Sequence, residues 1–332
     1  MSKCSTRRQA LLSAAATLAT ALAAPLALAQ ATEWPTKPVR ILTPFPAGAG
    51  PEAALRVLAE KLQKKWGQPV IVENKPGANG FIAIDAFKRG ATDGYDLIQL
   101  DNVHLAAYPY LFKKLPYDPA KDFEQIAPLF RTYFFVTVAA NSKYKTVGEI
   151  IAAAKANPGK LNYGSWSVGN PVHLGSAMLE ASTNTEMQHV IYKETAMLYT
   201  GVANGELDWA LGSLATAGPL QRGGKLKFIA VTGPKRHPAF PDVPTVAESG
   251  GPAGYEVTGW VTLAAPKSAP KAVVDKIRRD VEAALAEPDF KQRFAAFGYE
   301  PFPTTIEQFN AFVTAESQKY ADVVKRSKAA LD

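Results

Sequence analysis

The stretch Val39 to Arg56, VRILTPFPAGAGPEAALR, constrains the fold more than any other part of the chain. A short apolar run breaks into a Pro/Gly loop and then into apolar residues at helical spacing. That pattern predicts a strand, an open loop and a helix in immediate succession. The free N–H groups of such a loop and of the helix start point at whatever lies in front of them, which suits an anion. Gly48, Gly50 and Ala53 fit G-x-G-x-x-A, the dinucleotide fingerprint. In a nucleotide fold, however, the first glycine turns directly off the strand. Here Thr43-Pro44-Phe45-Pro46-Ala47 intervenes, and two prolines stiffen an open loop better shaped to cup a small ligand.

The N-terminus predicts export. Lys3, Arg7 and Arg8 form a basic region, Ala10 to Ala24 is almost unbroken apolar sequence, and Ala27-Leu28-Ala29 supplies a small-x-small cleavage signal. Residues 1–29 are therefore expected to be a leader cut near Ala29, with the mature protein in the periplasm. Thr6 to Leu11 fits both a twin-arginine and an ordinary secretory signal. Cys4, the single cysteine, lies in that leader and precedes the apolar region, so neither a disulfide nor a lipid anchor is expected. Without Lys3, Arg7 and Arg8 the 37 basic residues fall to 34 against 30 acidic ones, a mature net charge of +4. Lys and Arg are scattered rather than blocked, which argues against nucleic acid as a partner.

Strand-like and helix-like segments alternate along the chain, the mark of an α/β architecture. Two β-rich runs, Arg131 to Ala139 and Tyr255 to Ala264, bracket a segment that is itself complete α/β. The expected organisation is one domain from residues 30–133 and 256–332 and a second from 134–255, joined by two crossover strands that serve as a hinge. Each carries a Gly/Ser-rich mouth at the carboxyl end of a strand: Pro44 to Gly50 in the first, Ser165 to Asn170 in the second. Ligands of open α/β sheets bind at such ends. Two mouths across a hinge describe a clamshell around a ligand cleft, expected to work as a monomer.

The motifs VRILTPFPAGAG, GQPVIVENKPGANG, TDGY (Thr92 to Tyr95), LPYDPAKDF (Leu115 to Phe123), ANPGKLNYGS, HVIYKE (His189 to Glu194), FPDVPTVAESG and Gly259-Trp260 occur in that order. Together they resemble the substrate-binding receptors of tripartite tricarboxylate transporters, the Bug receptors, over essentially the whole mature chain. The resemblance implies a type II periplasmic-binding-protein fold. It also implies a small ligand, usually a carboxylate, held by the mouth loops and delivered to membrane permease subunits. Carried over by position, it places Phe45, Ala47, Gly48 and Gly50 at the ligand from the first mouth. From the second it places Ser165, Ser167, Gly169, Asn170 and His173, with Trp166 as a lid or as packing. Asp101 and Asn102 are expected to face the same cleft, and Glu194 and Thr195 open a nearby helix.

The departures from the family pattern are informative. Glu52 follows the first loop, Glu194 replaces a usual glycine, and Asp101 stands where a small residue is more common. A carboxylate aimed at an anionic ligand repels it by roughly 4 kcal/mol at about 4 Å in a partly desolvated cleft. These acids therefore raise the expectation of a ligand that carries an amine or is less acidic than a tricarboxylate, set against the plainer role of Glu194 as a first-turn acid complementing its helix dipole.

Other chemistry finds less support. His104, His173, His189 and His237 show no metal-ligand spacing. Ser165-Trp166-Ser167-Val168-Gly169 lacks the first glycine of a nucleophile elbow, and no catalytic residue, metal or cofactor is assigned. The alternatives left open are an exported NAD(P)-dependent oxidoreductase, with Glu73 near a ribose-binding position, and a receptor that presents its ligand to a sensor kinase.

Overall fold

The computed structural model describes residues 34–47, 50–302 and 304–327. The expected leader, its cleavage site at Ala29, Cys4 and the candidate Gly48 lie outside the described residues. The chain divides into Met1–Thr36 and Lys37–Asp332. Of the first unit, Trp34 to Thr36 are described and include a cis Trp34–Pro35 bond. Both sheets belong to the second.

Ten strands form two five-stranded sheets. The first holds β1 (Val39–Thr43), β2 (Val70–Asn74), β3 (Asp96–Asp101), β4 (Phe123–Tyr133) and a late strand, in the order β2-β1-β3-late-β4. The second holds β5 (Phe135–Ala139), β6 (Asn162–Ser165), β7 (Gln188–Ile191), β8 (Trp209–Gly212) and β9 (Leu226–Val231), in the order β7-β6-β8-β5-β9. The late strand of the first sheet is β10 (Thr258–Pro266). Each sheet has the same plan. Three parallel strands connected through helices are extended by an antiparallel strand, β10 beside β3 and β5 beside β8. A parallel neighbour requires a crossover helix, and the first is Gly50–Trp66. Its Leu55, Leu58, Leu62 and Trp66 recur at helical spacing and are buried. The Trp66 indole donates to Asp280 at 2.7 Å, fastening this helix to Lys271–Ala286.

The crossing between sheets is tight. β4 ends at Tyr133 and β5 begins at Phe135, so a single residue separates them. The strand expected to start near Arg131 in fact begins at Phe123. The short helix Pro119–Asp122, capped by the Asp118 carboxylate, leads straight into it. The return crossing runs from β9 to β10 and is tied to the first by Thr232. Its N–H donates to Phe134 O and its hydroxyl to Val257 O, while Phe134 N–H donates to its hydroxyl oxygen.

Two cap positions show how far local spacing reaches. Thr146 accepts from Glu149 N–H at 3.2 Å and caps Val147–Ala156. Thr304-x-x-Glu307 also spells a capping box in the sequence, but the box that forms lies one residue later. Thr305 Oγ1 accepts from Gln308 N–H, and Gln308 Oε1 accepts from Thr305 N–H. The spacing is the same, so only the register of Ile306–Ser327 differs. Trp260, fully buried, packs edge-on against Phe309 at 5.3 Å in the core of the first sheet.

Candidate ligand cleft

In both sheets the parallel strands present their carboxyl ends along one edge: Thr43, Asn74 and Asp101 in the first, Ser165, Ile191 and Gly212 in the second. These edges meet. A methyl group placed on Gly50, at the head of the Gly50–Trp66 helix, would lie 3.1 Å from Ala215 Cβ, in the loop after β8. One placed on Gly298 would lie 2.5 Å from Leu214 Cβ in the same loop.

The first mouth is fastened from beneath. The Thr43 hydroxyl donates to Gln99 Oε1 at 2.7 Å, and Gln99 Nε2 donates to Pro51 O at 2.9 Å. Asn74 Nδ2 donates to Phe45 O at 2.9 Å, and Arg56 Nη2 reaches Asn74 Oδ1 at 3.0 Å. Phe45 is half-buried and Ala47 exposed. Glu52 is turned inward: 1% exposed, its carboxylate is paired with Arg56 one helical turn on.

The two candidates at the end of β3 also turn inward. Asp101 Oδ1 lies 2.5 Å from His104 Nδ1, both groups buried. Asn102 is fully buried and donates to the Tyr320 hydroxyl at 2.7 Å, and to Thr258 O, tying β3 to the C-terminal helix and β10. A π-helical turn, Val103–Ala107, comes directly after them; nothing in the sequence pattern announced it.

The second mouth is an internally bonded loop. Asn170 caps the Pro171–Thr183 helix, accepting from Val172 N–H at 2.8 Å and His173 N–H at 3.1 Å. Its amide also donates to Ser165 Oγ and to Ser167 O. Ser165 Oγ lies 2.9 Å from Ser167 O and 2.7 Å from His189 Nε2, so the hydroxyl fastens the loop to β7. His173 Nδ1 accepts from Gly169 N–H at 3.1 Å, which leaves the proton of the neutral ring on Nε2. The two imidazoles lie 4.2 Å apart. Burial, and secondarily His189, push the His173 pKa down to about 3, so this ring is neutral. Trp166 is half-buried and packs against both core clusters of the second sheet, while Ser167 is half-buried and Gly169 buried. Glu194 is exposed, with Thr195 half-buried behind it, and makes no side-chain cap bond to the helix it precedes.

The loop after β8 was not foreseen from sequence. Ser213 and Thr216 bond each other through hydroxyls and backbone, which holds Leu214 and Ala215 against the first sheet's side of the cleft. The signal was present as a run of small residues after a strand, Gly212-Ser213-Leu214-Ala215-Thr216-Ala217-Gly218. Tyr299, beside Gly50, carried none. Glu73, the residue suggestive of a ribose site, is occupied by Arg40 at 3.0 Å and Lys75 at 2.7 Å.

Two α/β sheets joined by two crossings, with the carboxyl ends of their parallel strands opposed, define a clamshell solute-binding protein. The class narrows to one family. Residues 54–328 match the family described as the tripartite tricarboxylate transporter family receptor, and the chain belongs to it. A Cupriavidus necator relative, the UPF0065 protein in the gbd 5' region, is 36% identical over 96% of this chain and 94% of its own length. Among solved structures, the R. palustris protein Rpa4515 with adipate aligns with a TM-score of 0.82 at 29% identity, over 90% of this chain and 99% of that one. MatC of Rhodopseudomonas palustris with bound malate aligns with 0.79 at 27% identity, over 88% and 100%. The fold is that of periplasmic binding proteins, and the chain is a solute-binding receptor of this transporter family.

Proposed function

We propose that this receptor captures a dicarboxylate of roughly four to six carbons. It does so in the periplasm, closing its two sheets, residues 30–133 with 256–332 and residues 134–255, as a clamshell, and a membrane permease reads the closed form. The observation that carries this reading is the opposition of the first mouth and the loop after β8, with Gly50 against Ala215. A ligand that touches both loops makes its full set of contacts only in the closed state, and so drives closure. Relatives of this fold hold adipate and malate, which supports a ligand of that length.

The acids that suggested an amine-bearing ligand argue otherwise once placed. Glu52 is committed to Arg56 and Asp101 to His104. Glu194 stands in solvent, where its charge is screened. With two of these acids paired and the third screened, their repulsion of an anion is weak. The test is a thermal-shift screen of the mature protein against succinate, malate, adipate, amino acids and NAD(P). Ligand at about 100 times its dissociation constant adds roughly 2.7 kcal/mol. A shift with a diacid alone supports the reading; a shift with an amino acid or NAD(P) alone overturns it.

A further inference from the structure

Tyr299 carries a phenol hydroxyl beside the first mouth. It is 4% exposed, its ring stacks on Phe130 at 3.9 Å and 8°, and it meets Phe294 edge-on. Its backbone is pinned on both sides. Gly298 supplies a left-handed φ of 72°, and Glu300 pairs with Arg131 of β4 through two main-chain bonds. The ring therefore has one place to put its hydroxyl, and that place is Gly50. A methyl on Gly50 would lie 2.2 Å from Tyr299 Oη.

That hydroxyl has no hydrogen-bond partner among the described residues. Other buried tyrosines of this chain behave differently. Tyr117 donates to His104 O, Tyr163 to Glu180, Tyr199 to Leu211 O and Tyr255 to Gly175 O. Tyr108 also lacks a partner, but it lies in the aromatic cluster of Phe81 and Phe112. The Tyr299 oxygen is left to bond a molecule that enters the cleft, at the head of a 17-residue helix, in the first mouth, walled on the far side by Ala215. The one acid in that first turn, Glu52, is occupied by Arg56.

We propose that the Tyr299 hydroxyl donates a hydrogen bond to one carboxylate of the bound diacid, seated at the N-terminus of the Gly50–Trp66 helix. Gly50 is glycine because any side chain there would displace the hydroxyl. The donor stays protonated at every working pH, since burial pushes the phenol far above its ordinary value. It can bond an anion and offers no charge of its own. This assignment rests on the dicarboxylate reading and names a residue that selects for it.

The experiment is titration calorimetry of the mature protein with succinate, malate and adipate, on wild type, Tyr299→Phe and Gly50→Ala. A hydrogen bond to a charged group is worth about 10-fold or more in affinity. Tyr299→Phe keeps the stacked ring, so its ligand-free melting temperature should match wild type while the dissociation constant of the bound diacid rises about 10-fold. Gly50→Ala should weaken binding at least as much. Wild-type affinity in Tyr299→Phe makes the ring mere packing and overturns the assignment. A wild type that binds none of the three acids instead overturns the dicarboxylate reading, and the assignment with it.

Discussion

Phe134 and Thr232 exchange two hydrogen bonds where the chain passes between its sheets: Phe134 N–H to Thr232 Oγ1 at 2.9 Å, and Thr232 N–H to Phe134 O at 2.8 Å. Thr232 then donates its hydroxyl to Val257 O on the return crossing. One side chain thus binds both crossings, at a site with no solvent exposure. Valine has the same shape without the hydroxyl, and would leave a buried N–H and a buried carbonyl each short of one bond. Thr232→Val should cost about 1–3 kcal/mol of unfolding free energy in urea titration, and Thr232→Ser should restore most of it.

Closure depends on the small side chain at 215, which meets Gly50 across the cleft. Ala215→Trp should hold the sheets apart and abolish the ligand-induced thermal shift. The ligand-free melting temperature should move little, because the loop is fastened by Ser213 and Thr216 on its own side. Retained binding in Ala215→Trp would show that the two edges need not meet.

The buried imidazoles give a pH signature. The His173 pKa falls from 6.5 to about 3 on folding, chiefly through burial. The unfolded chain therefore binds that proton more readily. The stability His173 contributes is complete above about pH 6.5 and is lost as pH falls towards 3, at about 1.4 kcal/mol per pH unit. His189 is depressed by burial and adds in the same sense, while Glu180 is raised by burial and acts in the opposite one. The difference between wild type and His173→Gln isolates the His173 contribution. Urea titrations at pH 7, 6 and 5 should show the wild type losing stability faster than the variant.

Glu194 offers the opposite case. Its carboxylate is exposed, so its repulsion of an anion is weak and falls with salt. Glu194→Gly should change diacid affinity by no more than about 2-fold at physiological ionic strength. A 10-fold gain would revive the amine-bearing ligand.

Ser165→Ala removes a hydroxyl that bonds both Asn170 and His189. The buried Asn170 amide and the half-buried imidazole each lose a partner, so a cost of about 1–3 kcal/mol in thermal unfolding is expected, together with weaker binding as the second mouth loosens.

Much of this protein was legible in local sequence, for reasons that are themselves local. Val39 to Arg56 reads as strand, loop and helix because apolar period, proline and glycine act within a few residues. Asn170-Pro171 marks a helix start because the cap bond spans two or three residues. The interruption between Arg131 and Tyr255 separates two complete α/β patterns, and the family motifs occur in order. Thr304 and Glu307 against Thr305 and Gln308 show the limit, since two overlapping boxes satisfy the same spacing and only the second forms.

What the sequence alone determined was the class of elements, their alternation and the two mouths, all set by short-range propensity and period. Which way the acids face was decided only by tertiary structure. Glu52, Asp101 and Glu194 look alike as departures from a pattern, yet two are buried against Arg56 and His104 and one is in water. Tertiary structure also brought the Ala215 loop and Tyr299 to Gly50, across 165 and 249 residues of chain. Contacts of that separation leave no periodicity behind. They exist because burying two sheets and crossing between them through Phe134 fixes where distant loops must meet.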